Sequence, residues 1–164
     1  MKKNRSKNGF TLVEILAVII ILGILMIIAV PAVSRYINDS RKSTYILTAK
    51  EYIDMAKLKL SGFEYSFYDK DMAYFIPISE IPLEEEGNSP FGEWQEAYVI
   101  VTYTKGEGWK YYWTSVDTAG MKVDATLESN LNESSIYSDN DLDIEELPSS
   151  VGRVKICIVG QDSC

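Results

Sequence analysis

The sequence predicts an α+β chain: one long N-terminal helix, apolar in its first half and amphipathic in its second, packed on a C-terminal antiparallel β-sheet. Three observations carry that prediction. Residues 15 to 33 read ILAVIIILGILMIIAVPAV, without a charge. Beyond them, Ile46, Ala49, Ile53, Ala56 and Leu60 recur at steps of three and four, which is the spacing of one helical face. Further on, YVIVTYT at 98 to 104 and WKYYWTSV at 109 to 116 flank Gly106-Glu107-Gly108. These two runs are rich in β-branched and aromatic residues, and glycines between them supply the positive φ that a hairpin turn needs.

The apolar run comes first in the chain. At about 1.5 Å per residue it spans roughly 28 Å as a helix, close to a bilayer core of about 30 Å. Soluble helices are rarely apolar on all sides. Lys2, Lys3, Arg5 and Lys7 precede the run with no acid among them, and such a cluster holds the N-terminus in the cytoplasm. The body of the chain is then expected outside the membrane. Pro31 removes a backbone donor and Gly23 is a poor helix former, so the helix has two weak places, with a kink expected at Pro31.

The helix is expected to continue to about residue 60. Lys50, Glu51, Asp54, Lys57 and Lys59 fall between the apolar positions and are expected in solvent, and Ser61-Gly62 is the expected stop. A third strand is predicted at 153 to 159, where Val154, Ile156 and Ile158 alternate with Arg153, Lys155 and Cys157. AYFIPI at 73 to 78 is expected as an edge strand, because Pro77 cannot donate to a ladder. Residues 117 to 150 read as a long connection.

Composition narrows the function. The chain has 164 residues, with 46% apolar and 24% charged, as befits one modest domain plus an anchor. Its formal charge is -8; without the four N-terminal cations, 12 basic residues face 24 acidic ones, a charge of -12. So acidic a body repels nucleic acid, and none is expected as a partner. With no histidine, the commonest general base and zinc ligand is missing. No nucleophile-base pair, phosphate loop or metal-ligand motif stands out, so neither catalysis nor a cofactor is expected.

The residues just before the apolar run are Lys7-Asn8-Gly9-Phe10-Thr11-Leu12-Val13-Glu14. An ordinary secretory peptide is cut after its apolar region, whereas here the conspicuous residues come before it. The run resembles the class III signal of type IV prepilins: a short basic leader ending in Gly, then Phe, then Thr-Leu-x-Glu. The resemblance covers roughly residues 1 to 33. It implies cleavage after Gly9 by a prepilin peptidase, N-methylation of the new terminus at Phe10, and loss of residues 1 to 9 as a leader. Residues 10 to 33 would be the transmembrane and later filament-core helix, and 34 to 164 the extracytoplasmic headgroup. Expected partners are identical or related pilin subunits, the peptidase and methyltransferase, an assembly platform protein, and the membrane before assembly. The Lys-rich leader and acidic body fit a Gram-positive pilus; a pseudopilin of type II secretion or of competence DNA uptake shares the same signal. A monomeric anchored binding module is the reading that remains if the leader is never cut.

Glu14 has a physical reason to be in that segment. A carboxylate at a helix centre in lipid costs about 2.5 to 3.5 kcal/mol on insertion scales, and its place near the cytoplasmic end lowers that cost. Cleavage would create an ammonium on Phe10, largely charged at neutral pH. Two unit charges 4 Å apart attract by about 4 kcal/mol at an effective dielectric of 20. The resemblance implies that this amine docks on Glu14 of a neighbouring subunit. It also implies that the helix between Gly23 and Pro31 loosens in the filament.

Three further places attract notice. Ser89-Pro90-Phe91-Gly92-Glu93-Trp94 is similar to the Pro-aromatic-Gly turn of major pseudopilins, and reads equally as a turn whose aromatic residues pack under the sheet. Asp139, Asp141 and Asp143 alternate as calcium ligands do, but Ile144 and Ser150 stand where an EF-hand loop needs Gly and Glu. Cys157 and Cys164 are seven apart. They either close a small C-terminal disulfide loop or stay as thiols.

Overall fold

A 51-residue helix, α1, runs from Leu12 to Gly62 in the computed structural model, which describes residues 9–62, 72–81, 88–104, 106–138 and 155–158. The helix is continuous through Gly23 and Pro31, and it ends at the predicted Ser61-Gly62. Two compact units divide the chain, Met1–Asp39 and Ser40–Cys164. In the first, every described residue is exposed. Its side chains from Leu12 to Val33 are mostly large and apolar, a surface that demands lipid or other apolar partners. Among the described residues this is the one helix long and apolar enough to cross a membrane.

The second unit joins the rest of α1 to a six-stranded sheet. The strands are β1 (Met72–Pro77), β2 (Trp94–Thr104), β3 (Gly108–Asp117), β4 (Met121–Leu127), β5 (Tyr137–Ser138) and β6 (Lys155–Ile158). Their spatial order is β5-β4-β3-β2-β1-β6. From β5 to β1 every pairing is antiparallel, whereas β6 runs parallel to β1. The α+β class stands, with two corrections. First, β1 is not the edge strand: β6 pairs with it from Met72 to Phe75. Pro77 pairs with Tyr98 on the other side, past the last β6 partner, so its missing donor leaves the β6 ladder intact. Second, residues 121–127 and 137–138 are strands, not parts of a long connection.

The β2–β3 hairpin forms where the sequence places it. Gly106 and Gly108 take φ of +95° and +82°, values that a side chain would strain. Two bulges then set which face each residue meets. Between Trp94↔Asp117 and Glu96↔Val116, two steps on β2 match one on β3. Between Trp113↔Thr126 and Ser115↔Val123, three steps on β4 match two on β3. A bulge shifts the inside-outside alternation by one residue. Trp94 therefore joins Ala97, Val99 and Val101 in the cluster that packs with α1, and Val123 joins it while Ala125 and Leu127 pack in the other cluster.

The main core fills the space between helix and sheet. Tyr45, Ile46, Ala49, Tyr52, Ile53 and Ala56 of α1 are buried against Tyr74, Ile76, Val99, Val101, Trp113 and Val123. The predicted stripe is there, with Leu60 packed at its edge. Tyr45 and Tyr52 extend it by the same steps of four and three. Ala49 and Ala56, small and fully buried, let the helix approach closely while the two tyrosines reach over the sheet. Lys57 and Lys59 are not plain solvent residues. Lys57 hydrogen-bonds Glu128 and, at 3.0 Å, Asp54; Lys59 reaches the Glu80 carbonyl. Burial opposes the Lys57 charge, but these two carboxylates outweigh it and hold the ammonium above the usual lysine range. A second cluster, Ala73, Phe75, Ile100 and Tyr112, is buried on the opposite face of the sheet, as alternation along β1 and β2 requires.

Candidate functional site

The segment the sequence singles out begins α1. Gly9, Phe10 and Thr11 precede the helix, and Leu12 opens it. The first intrahelical bond runs from the Ile15 N–H to the Thr11 carbonyl at 3.2 Å, which makes Thr11 the N-cap. The Glu14 N–H donates to Thr11 Oγ1 at 3.3 Å, and the Thr11 N–H donates to Glu14 Oε2 at 3.3 Å. This reciprocal pair is a capping box, in which Ser or Thr at the N-cap and Glu three residues later satisfy two orphan donors at once. In lipid such donors have no water to turn to. The sequence carries the signal, Thr-x-x-Glu before an apolar run.

Phe10 is 82% exposed, so its side chain stands clear of the other described residues. Glu14 sits in the first turn of α1, where a carboxylate also meets the positive end of the helix dipole. Gly23 and Pro31 lie inside α1; a Cβ added at Gly23 would meet no atom within 4 Å. Cys157 lies on β6, opposite Tyr74. Cys164 and the three calcium candidates Asp139, Asp141 and Asp143 lie outside the described residues.

In the second unit, the Ser89–Trp94 turn is a rigid corner rather than an open site. The Ser89 carbonyl accepts from the Gly92 N–H at 3.1 Å, and Phe91 and Trp94 pack against the main core. Tyr45 meets both rings, at 6.2 Å and, edge-on, at 4.8 Å. The Ser89 hydroxyl donates to Asp117 Oδ2 at 2.5 Å. Asp117, fully buried, also accepts at Oδ1 from the Ala119 and Met121 N–H groups at 3.0 and 2.9 Å. One carboxylate thus closes the β3–β4 turn and pins the corner to it. Close by, the Tyr45 hydroxyl shares a 2.8 Å hydrogen bond with Ser115, and burial raises its pKa well above the usual phenol range. A Cβ at Gly92 would lie 2.3 Å from Thr118 Oγ1, the atom that accepts from the Glu93 N–H, so the corner has no room for a side chain there.

Asp117 supports a direct prediction. Asp117→Ala leaves three donors without their acceptor and should lower stability by about 2 to 3 kcal/mol, the usual penalty for stranded buried polar groups. Thermal unfolding of the detergent-solubilised chain checks it. A midpoint unchanged from wild type would mean that this carboxylate does not hold the corner.

Such a chain, with an exposed apolar helix that follows a basic N-terminal sequence and continues into a small α+β unit, has the build of a membrane-anchored subunit. Residues 4–30 match the family model described as the prokaryotic N-terminal methylation motif. That match, with the pilin-like fold, supports a type IV pilin or pseudopilin precursor. No curated protein and no solved structure matches the chain.

Proposed function

We propose that the chain is a structural subunit of a type IV pilus. In this reading a prepilin peptidase cuts after Gly9 and residues 1–9 leave as a leader. Phe10 is methylated on its amine. Residues 10–33 anchor the subunit in the cytoplasmic membrane, N-terminus inward, and then line the filament. Residues 34–164 form the headgroup on the outside. The match over residues 4–30 carries the reading. The exposed apolar surface of α1 supports it, because that surface suits lipid before assembly and like helices after it.

The Ser89–Trp94 corner favours a second reading, a pseudopilin of type II secretion or competence DNA uptake. Its residues Pro90-Phe91-Gly92 are similar to the Pro-aromatic-Gly turn found before the sheet in major pseudopilins of type II secretion. Abundance in filaments sheared from the cell separates the two: a pilus subunit dominates that fraction, whereas a pseudopilin stays with the membranes.

Intact mass and N-terminal sequencing of the sheared protein test the main reading. A chain that begins at methylated Phe10 is expected. A chain that begins at Met1 and occurs only in membranes would leave a plain anchored domain. Gly9→Leu sharpens the test, since bulk at this position should keep the leader attached in essentially all molecules. Loss of the leader from that variant would place the cut elsewhere.

A further inference from the structure

Helix α1 starts three residues after the glycine at which the proposed cut falls, and the capping box sets that start. We infer that Thr11 is a positioning residue for processing: its side chain keeps the Gly9–Phe10 peptide out of the helix and so open to hydrolysis. This inference rests on the proposed cleavage after Gly9.

The argument turns on one donor. In a helix each N–H bonds the carbonyl four residues earlier. Extending α1 backward would give the Glu14 N–H to the Phe10 carbonyl, and then the Val13 N–H to the Gly9 carbonyl. In the structure the Glu14 N–H is already held by Thr11 Oγ1, and the first intrahelical bond is Ile15 to Thr11. The cap and the longer helix therefore compete for the same hydrogen. The Gly9 carbonyl matters because it is the group attacked. Water adds to its carbon, the bond to the Phe10 nitrogen breaks, and the products are a Gly9 carboxylate and a Phe10 amine that takes up the proton. A carbonyl locked in a helical hydrogen bond, its backbone coiled, does not fit the extended form in which a peptidase cleft reads a substrate.

Lipid strengthens the competition. Unsatisfied N–H groups at a helix start are costly where water is scarce, so an uncapped α1 gains by borrowing the Phe10 and Gly9 carbonyls. Glycine resists helix formation and works in the same direction as the cap. Glu14 acts as the second half of the box by holding the Thr11 N–H. That contact needs an acceptor oxygen but no charge.

The test follows leader removal in the full-length chain by pulse labelling, in membranes that contain the peptidase. Thr11→Ser and Thr11→Asn keep an N-cap acceptor and should be cut at the wild-type rate. Thr11→Val keeps the shape and loses the acceptor; loss of an N-cap shifts a helix-start equilibrium by about fivefold, and cleavage should slow by that factor. Thr11→Val combined with Leu12→Pro should recover the rate, because proline suits the first helical position and bars the residue before it from helix. Thr11→Val cut as fast as wild type would overturn the inference. So would a slow Thr11→Val that Leu12→Pro does not rescue, since that result points to direct contact between the peptidase and the hydroxyl. A wild-type chain that is never cut would overturn the leader reading itself, and this inference with it.

Discussion

Glu14→Ala is expected to be cut after Gly9, retained in the membrane and missing from sheared filaments. The variant loses the only acid between Met1 and Val33, and with it the one group in that stretch able to attract a neighbour's cationic terminus. An attraction of about 4 kcal/mol at 4 Å and an effective dielectric of 20 corresponds to nearly a thousandfold in partitioning, so filament entry should all but stop. Glu14→Gln separates the two roles of this side chain. Its amide oxygen can still accept from the Thr11 N–H, as capping boxes with Gln do, but it carries no charge. Equal loss of assembly in both variants, with cleavage intact in Glu14→Gln, is the expected pattern. Immunoblots of sheared and membrane fractions read it directly, and normal filaments from Glu14→Gln would remove charge pairing from the account.

The second large effect belongs to the core. Trp113→Ala should destabilise the unit that begins at Ser40 by about 3 to 5 kcal/mol, the usual range for emptying a buried aromatic site. Trp113 is fully buried. Its ring stacks on Tyr52 at 5.7 Å and meets Trp94 edge-on at 5.6 Å, so it joins the helix to the bulged start of β2. Among the described residues its Nε1 finds no hydrogen-bond partner. The expected loss is therefore one of packing. Trp113→Phe should cost clearly less than Trp113→Ala, because it keeps a ring against Tyr52. Denaturant unfolding followed by amide hydrogen exchange in the sheet distinguishes these variants. Similar midpoints for the two would mean that ring contacts contribute little. Small domains are stable by only about 5 to 15 kcal/mol, so the alanine variant should populate unfolded headgroup measurably.

Much of this fold can be read from side-chain periodicity. The stripe from Ile46 to Leu60 and the Gly-Glu-Gly hairpin both follow local rules, and both are where the sequence puts them. Tyr45 and Tyr52 carry no such local signal, because a tyrosine fits a core or a surface equally well, and the hydroxyl partner of Tyr45, Ser115, lies 70 residues away. Strand β4 was harder to see for another reason. Met121, Val123, Ala125 and Leu127 do alternate, but the bulge opposite Trp113 and Ser115 divides them between the two faces of the sheet. Lys122 is buried in the midst of them, against the expectation that a strand's polar positions are wet. The parallel pairing of β6 is a matter of topology, on which alternation within a strand is silent. At the N-terminal segment both the residue types and the capping signature, Thr-x-x-Glu before an apolar run, are written in the sequence.

The place of β6 bears on the order of events during biogenesis. Strands β2, β3 and β4 are joined by short turns, so their pairing closes small loops and can form early. Strand β1 pairs with β2 on one side, but its other side must wait for a partner more than eighty residues downstream, since Met72 pairs with Lys155. Until residues 155–158 arrive, a folding chain therefore exposes the outer ladder of β1. During that interval β1 is an unpaired edge that would accept any extended strand nearby, including one from another emerging chain. The rate at which residues 155–158 reach the sheet thus sets how long that edge stays open to association between immature chains.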